Sequence, residues 1–432
     1  MVDKTQVDEV LKRTLGKRYF NVILPLFIAS VLAFLDRLNL SYAALTMNKA
    51  LGFTPEVFGF GAGILFWGYV LFEVPGAIFA AKWSASKWIV RILITWSIAT
   101  TLMMFVKTPI EFYIVRFLIG AAEASFYPVC YAIFFPRWFA PNERARAISV
   151  MLTSLLVASI LGSPLAGILI GMSIFNLAGW QLLFLVEGCL SLVLGIVLWF
   201  WIKDWPKDVN WLSSEEKKIF SELYQHEITA KNNVKKYTLW DGLKDLEVLK
   251  LGFIYFMWIV GFWGFGFWLP TVLKSVSGLS NANVSFLVTI PMVLSLIGFL
   301  IVGNSSSRKG EKRLHVALPL FIGAIGLAGT VLIHDPVLNF VFINFAAIGV
   351  YSGMGVWWSI PTTFLSETAA AGAIGLINSI GNIGGWVGPF LIGIVKSYTG
   401  SYTLAYLCLA LCLIVSGILI FTLPKKRPTD SL

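Results

Sequence analysis

YFNVILPLFIASVLAFLDRLNLS, residues 19–41, is apolar over enough length to cross a bilayer, yet it carries Asp36 and Arg37 side by side. A spanning segment needs about 17 to 25 mostly apolar residues. In lipid it must satisfy its own backbone groups, so it is a helix. A charge near the centre of such a helix costs roughly 2.5 to 3.5 kcal/mol on insertion scales, which is why these residues face a watery path or one another. A second stretch repeats the pattern: YIVRFLIGAAEASFYP, residues 113–128, holds Arg116 and Glu123. Seven positions are close to two helical turns and put both on one face. Two acids and two bases around one buried cavity suit the movement of an anion together with protons.

Composition extends this reading to the whole chain. Of 432 residues, 57% are hydrophobic and only 13% charged, and the mean hydropathy is +0.80. These values exclude a water-soluble globule. Twelve apolar runs between residues 19 and 423 are long enough to span. They predict an all-α integral membrane protein with twelve transmembrane helices in two six-helix bundles. The expected divisions are a leader at 1–18, a first bundle at 19–202, a linker at 203–248, a second bundle at 249–423 and a tail at 424–432. The net charge of +10 does not mark a nucleic-acid binder, because Lys and Arg gather at the termini and in alternate connections. Only Lys49, Lys107, Lys274 and Lys396 fall on the opposite side. That bias places both termini in the cytoplasm, in a multi-pass plasma-membrane protein of the bacterial inner-membrane kind.

The remaining features narrow the class. Val7, Val10, Leu11 and Leu15 recur at helical spacing in a charged leader, which reads either as an amphipathic surface helix or as a solvated extension. In the linker, Ser213 and Glu216 form a capping-box signature that predicts a surface helix. Cys130, Cys189, Cys408 and Cys412 lie in apolar runs without His at ligand spacing and read as packing residues, so no metal is expected. His226, His315 and His334 fall in loops or at helix ends. With no G-x-x-x-x-G-K-S/T motif in the chain, a nucleotide-driven pump is excluded. The chain reads as no enzyme, and no cofactor is expected.

Four stretches, in order, carry a resemblance. They are FLDRLN at 34–39, RFLIGAAEASFYP followed by RWFAPNERARA at 116–147, FWLP at 267–270, and IPTTFLSETAAAGAIGLINSIGNIGGWVGP at 360–389. With them the chain resembles major facilitator superfamily transporters, and among these the anion:cation symporters that include tartrate, phthalate, hydroxyphenylacetate and sugar-acid permeases. The superfamily's basic loop signature is degraded in both copies, with Ser84 in place of a glycine and Ser307 in place of an acid. The resemblance implies a proton-coupled importer of an organic carboxylate that works as a monomer by alternating access.

Asp36 and Glu123 are the expected proton carriers. A carboxyl in a poorly hydrated cavity holds its proton firmly, and a nearby Arg loosens it. Arg37 and Arg116 are expected to take the substrate carboxylate or to tie helices to those acids, since a guanidinium matches a carboxylate fork. Asn378 and Asn382, four residues apart, present amides from one face; the family pattern places Asn378 near substrate, with helix stitching as the other reading. Tyr69 and Trp358 match cavity-facing positions in sugar-acid carriers. Glu73 and Glu187 sit towards span ends and read as structural. The aromatic seventh span, with Trp258, Phe262, Trp263, Phe265, Phe267 and Trp268, reads as a gate or as an interfacial belt. A transporter-like sensor, an uncoupled facilitator and an exporter of the same ligand are the competing functions.

Overall fold

Turn chemistry sets the helix ends. The computed structural model describes residues 4–174, 176–232, 243–361 and 367–423; the expected tail at 424–432 lies outside them. The first spanning helix, α1 (Leu24–Leu51), stops at Gly52, whose φ of 67° is the left-handed cap that only glycine adopts freely. Thr54 then caps α2 (Pro55–Lys82) by accepting the Val57 N–H, with Pro55 in the first turn, where its missing N–H costs nothing. After α3 (Ala85–Leu102), Thr108 and Glu111 form a capping box for α4 (Pro109–Trp138). α5 (Pro141–Ile170) and α6 (Gly179–Trp201) complete the first bundle.

The second bundle comprises α7 (Leu246–Ser277), α8 (Asn281–Lys309), α9 (Arg313–Leu332), α10 (Pro336–Trp357), α11 (Glu367–Thr399) and α12 (Thr403–Ile420). Eleven of these helices are long and apolar enough to cross a membrane. With the 33-residue α11 they make the expected twelve. Large apolar side chains such as Phe72, Phe105, Ile110, Phe200 and Val337 point outward, as a bundle with lipid as its solvent requires.

The packing repeats itself. In the first bundle α1 packs on α5 and α6, α2 on α4, and α3 on α4 and α6. The same pairings recur six helices later: α7 on α11 and α12, α8 on α10, and α9 on α10 and α12. Between bundles α1 meets α7, α2 meets α11, and α5 meets α8. This is the arrangement of two similar bundles related by an axis along the membrane normal.

The leader is a helix, Lys4–Arg18, joined to α1 through a π-helical turn at Tyr19–Ile23. Pro25 lacks the N–H that would bond the carbonyl four residues back, and the wider turn absorbs that gap. The apolar side of the leader faces protein: Val10 and Leu11 are buried in one cluster with Trp138, Ile219 and Phe220. Arg18, fully buried, makes two bonds to Glu143, at 2.6 and 2.8 Å. The linker helix, Ser214–Asn232, starts at the expected box, where the Glu216 carboxylate accepts the Ser213 N–H at 2.8 Å. Leader and linker helix share one face of the molecule, called here the near face.

Candidate functional site

Close helix approach brings the charges together. A Cβ on Gly120 of α4 would stand 2.0 Å from the Leu65 carbonyl oxygen, and one on Gly68 of α2 would stand 2.4 Å from the Ala121 nitrogen. Glycine at both places lets the two backbones touch. α4 then breaks directly after Glu123: Ser125 adopts a left-handed φ of 71°, and a π-helical turn follows at Val129–Phe134. Such a backbone costs a non-glycine residue on the order of 1 to 3 kcal/mol and tends to mark functional sites. Here the Trp88 indole supports it by donating to the Ser125 hydroxyl at 3.0 Å.

Arg37 and Glu123 form the central pair. Arg37 Nη2 donates to Glu123 Oε1 at 2.5 Å, and Nε donates to Oε2 at 3.3 Å. The same Nη2 donates to the Tyr69 hydroxyl. Rings of Phe34, Tyr69 and Tyr127 surround the guanidinium at 4.8 to 5.8 Å, and Trp263 of the opposite bundle lies at 5.9 Å. Nη1 has no hydrogen-bond partner among the described residues.

Asp36 lies one residue away but about 100° around the helix, and it turns into the first bundle. Its Oδ2 accepts the Thr100 hydroxyl at 2.7 Å, while Oδ1 has no partner among the described residues. Glu187 of α6 is buried in the same bundle, also without a hydrogen-bond partner among the described residues.

Arg116 does not join Glu123. Its Nε and Nη2 reach the carbonyls of Gly61 and Ala62 at 3.4 and 3.5 Å, and its guanidinium lies 5.9 Å from the Phe267 ring. In this state it links α4 to α2.

The two asparagines are brought together by a residue read as structural. Asn378 Nδ2 donates to Glu73 Oε1 at 3.0 Å and Oε2 at 3.3 Å, and Asn382 Nδ2 donates to Oε2 at 3.2 Å. Glu73 thus crosses from the first bundle to the second. The signal was present: LFEVPG puts a charge in an apolar run, and Glu73 follows Tyr69 by four residues, on the same face. Trp358 packs edge-on to Tyr255 at 5.0 Å. Tyr255 in turn occupies the space a Cβ on Gly381 would need, one residue before Asn382.

Beyond this layer the bundles close on the far face. A Cβ on Gly59 would lie 2.5 Å from the Pro389 oxygen, and one on Gly393 would lie 2.4 Å from the Pro55 oxygen. Trp268 is buried there, donating to the Pro389 carbonyl at 3.0 Å and packing edge-on to Phe58 at 5.0 Å. That corrects the interfacial-belt reading for Trp268. A separate cleft of about 250 Å³, lined by residues such as Arg144, Tyr224 and Glu227, lies between the end of α4 and the linker helix, away from these charges. Among the described residues no group of three His, Cys, Asp or Glu side chains is placed to hold a metal.

Comparison with known proteins agrees with this architecture. The family model for the Major Facilitator Superfamily matches residues 26–389. An Agrobacterium vitis protein named "Putative tartrate transporter" is 37% identical, over 99% of this chain and 94% of its own. An Acinetobacter baumannii protein named "Quinolone resistance transporter" is 35% identical, over 94% of each. Among solved structures, the inward-open Escherichia coli xylose transporter superposes with a TM-score of 0.74 at 12% identity, covering 95% of this chain and 97% of that one.

Proposed function

The chain belongs to the major facilitator superfamily, and from that premise we propose that it is a proton-coupled symporter that imports an organic carboxylate, of which tartrate is the first to test. The observation that carries the reading is Arg37: one edge of its guanidinium is committed to Glu123 and Tyr69, and Nη1 is left for an incoming anion. The amides of Asn378 and Asn382 stand on the other bundle and meet Glu73, one helical turn from Tyr69, so the two bundles can grip one ligand between them.

In this reading the near face is cytoplasmic, the carrier stands closed to the outside, and the site lies near the bilayer midplane. A substrate carboxylate entering at Arg37 competes with Glu123 for the guanidinium. Glu123 released from that pair is a buried carboxylate without its cation, and it takes up a proton. Asp36, whose hydrogen bond among the described residues comes from Thr100, is the second proton carrier. Protons riding with the anion cancel the roughly 2.3 kcal/mol per charge per 100 mV that opposes its entry into a negative-inside cell.

The relative named for quinolone resistance favours a second reading, export of a carboxylate-bearing compound from the same site. Thermal stabilisation of the purified protein tests the binding step common to both: a ligand that binds the folded state raises the melting temperature. Tartrate should stabilise and tartramide should not. Equal shifts from acid and amide would remove the carboxylate from recognition. Import and export then separate by which side of an acid-interior or acid-exterior vesicle accumulates the compound.

A further inference from the structure

Asn378 and Asn382 offer two amide donors to a carboxylate, and in this structure a carboxylate already holds them. We propose that Glu73 is a tethered stand-in for the substrate: it occupies the two amides of the empty carrier, an incoming carboxylate displaces it, and the freed Glu73 binds one proton. The inference rests on the carboxylate reading above and deepens it by naming a third acid and its task.

The geometry carries the argument. Three contacts of 3.0 to 3.3 Å run from amides of α11 in the second bundle to one carboxylate of α2 in the first. Glu73, Asn378 and Asn382 are all half-buried rather than fully enclosed. Glu73 has no salt bridge among the described residues. Arg37, a cation that acts on it through space, makes its ion pair with Glu123 instead.

The surrounding groups leave the amides as its main support. Among the described residues, Arg37 of α1 and Tyr255 of α7 are ionisable groups that interact with it. On α4, Glu123 is held by Arg37 and Arg116 by the Gly61 and Ala62 carbonyls. Tyr127 lies behind Arg37. On α3, Arg91 is stacked on Trp88 at 3.9 Å, and Trp88 with Ser125 abuts Gly76. Among the described residues the bonds of Glu73 to α11 go to the two amides, and Lys396 lies in the last turn of that helix at the far face.

The exchange balances. Nδ2 of each asparagine leaves a Glu73 oxygen and donates to a substrate carboxylate oxygen, and one proton from the bulk solution, given up by the buffer acid, forms an O–H bond on Glu73. A carboxylate in weakly polar surroundings that loses its donors is costly to keep charged. The charge of the one substrate carboxylate that takes the amides and the charge of the proton on Glu73 cancel, so this exchange of one carboxylate for another adds no net charge at the amides. Only a ligand group that outcompetes a carboxylate for amide donors performs it, which selects acids over amides and alcohols.

Titration calorimetry of the full-length protein with tartrate, in buffers of different ionisation enthalpy at pH 7.5, counts the protons taken up on binding. Wild type should take up one more proton than Glu73→Gln, and Glu73→Gln, lacking the charged competitor, should bind tartrate about tenfold tighter. Should Glu73→Gln fail to fold, Glu73→Asp, too short to span both amides, is expected to shift both readouts in the same direction. Equal proton counts and equal affinities overturn the proposal while leaving the carboxylate reading intact. So does a lowered melting temperature with an unchanged proton count, the signature of a merely structural bond. If folded wild type binds no tartrate, the tartrate reading fails, and this proposal with it.

Discussion

At the scale of single residues, the rotation between Asp36 and Arg37 decides their work. Arg37 faces the other bundle and pairs with Glu123, while Asp36 faces inward to Thr100. Charges in apolar runs stand out in sequence because they are expensive, so all four were legible. Which acid meets which base depends on helix rotation and on the break at Ser125, which nothing in the spacing reveals. Glu73 stands out in sequence as a charge in an apolar run, but it reads as structural because its partners come from a helix 305 positions away. The two arginines therefore separate. Arg37→Lys loses the two-nitrogen grip on a carboxylate, and tartrate affinity should fall about ten- to a hundredfold. Arg116→Lys should lower the melting temperature while affinity stays within about threefold. Calorimetry and thermal melts check both, and the opposite ranking would make Arg116 the substrate ligand.

At the scale of elements, α2 and α11 form the far-face closure through backbone contacts that admit no side chain at Gly59 or Gly393. Gly393→Leu overfills that contact, at about 1 to 3 kcal/mol. The expected outcome is a shift towards the state open at the far face, read as longer spin-label distances between the far ends of α2 and α11. An unchanged distance distribution would show that this contact does not gate. The linker helix was legible from its capping box, whereas its union with the leader was not, because that union is tertiary. It rests on Arg13 and Glu216, 3.0 Å apart. Burial pushes the Glu216 carboxyl up, but the Ser213 N–H and the Lys17 and Arg13 charges outweigh this and hold it below the ordinary carboxylate value. A lowered folded value means that the stabilisation is present above the unfolded value and is lost as pH falls through the folded one. Hydrogen exchange in residues 4–18 should therefore rise only in strong acid for wild type, and already at neutral pH for Glu216→Gln.

At the scale of the whole molecule, twelve helices and two bundles followed from composition and run length, because lipid leaves few alternatives. The repeated pairing order places the Arg37 cluster on one bundle and the Asn378 pair on the other, with backbone-tight closure at the far face. Such a device can move a solute when the closed face alternates, and coupling requires that the acids between the bundles change protonation as it does. The direct measurement is tartrate uptake by proteoliposomes with an acid exterior, compared between wild type and Glu123→Gln. The account predicts accumulation above the external concentration by wild type, abolished by a protonophore. Glu123→Gln should not accumulate, yet should still exchange internal for external tartrate. Wild-type uptake that only equilibrates, or gradient-driven accumulation undiminished in Glu123→Gln, would contradict it.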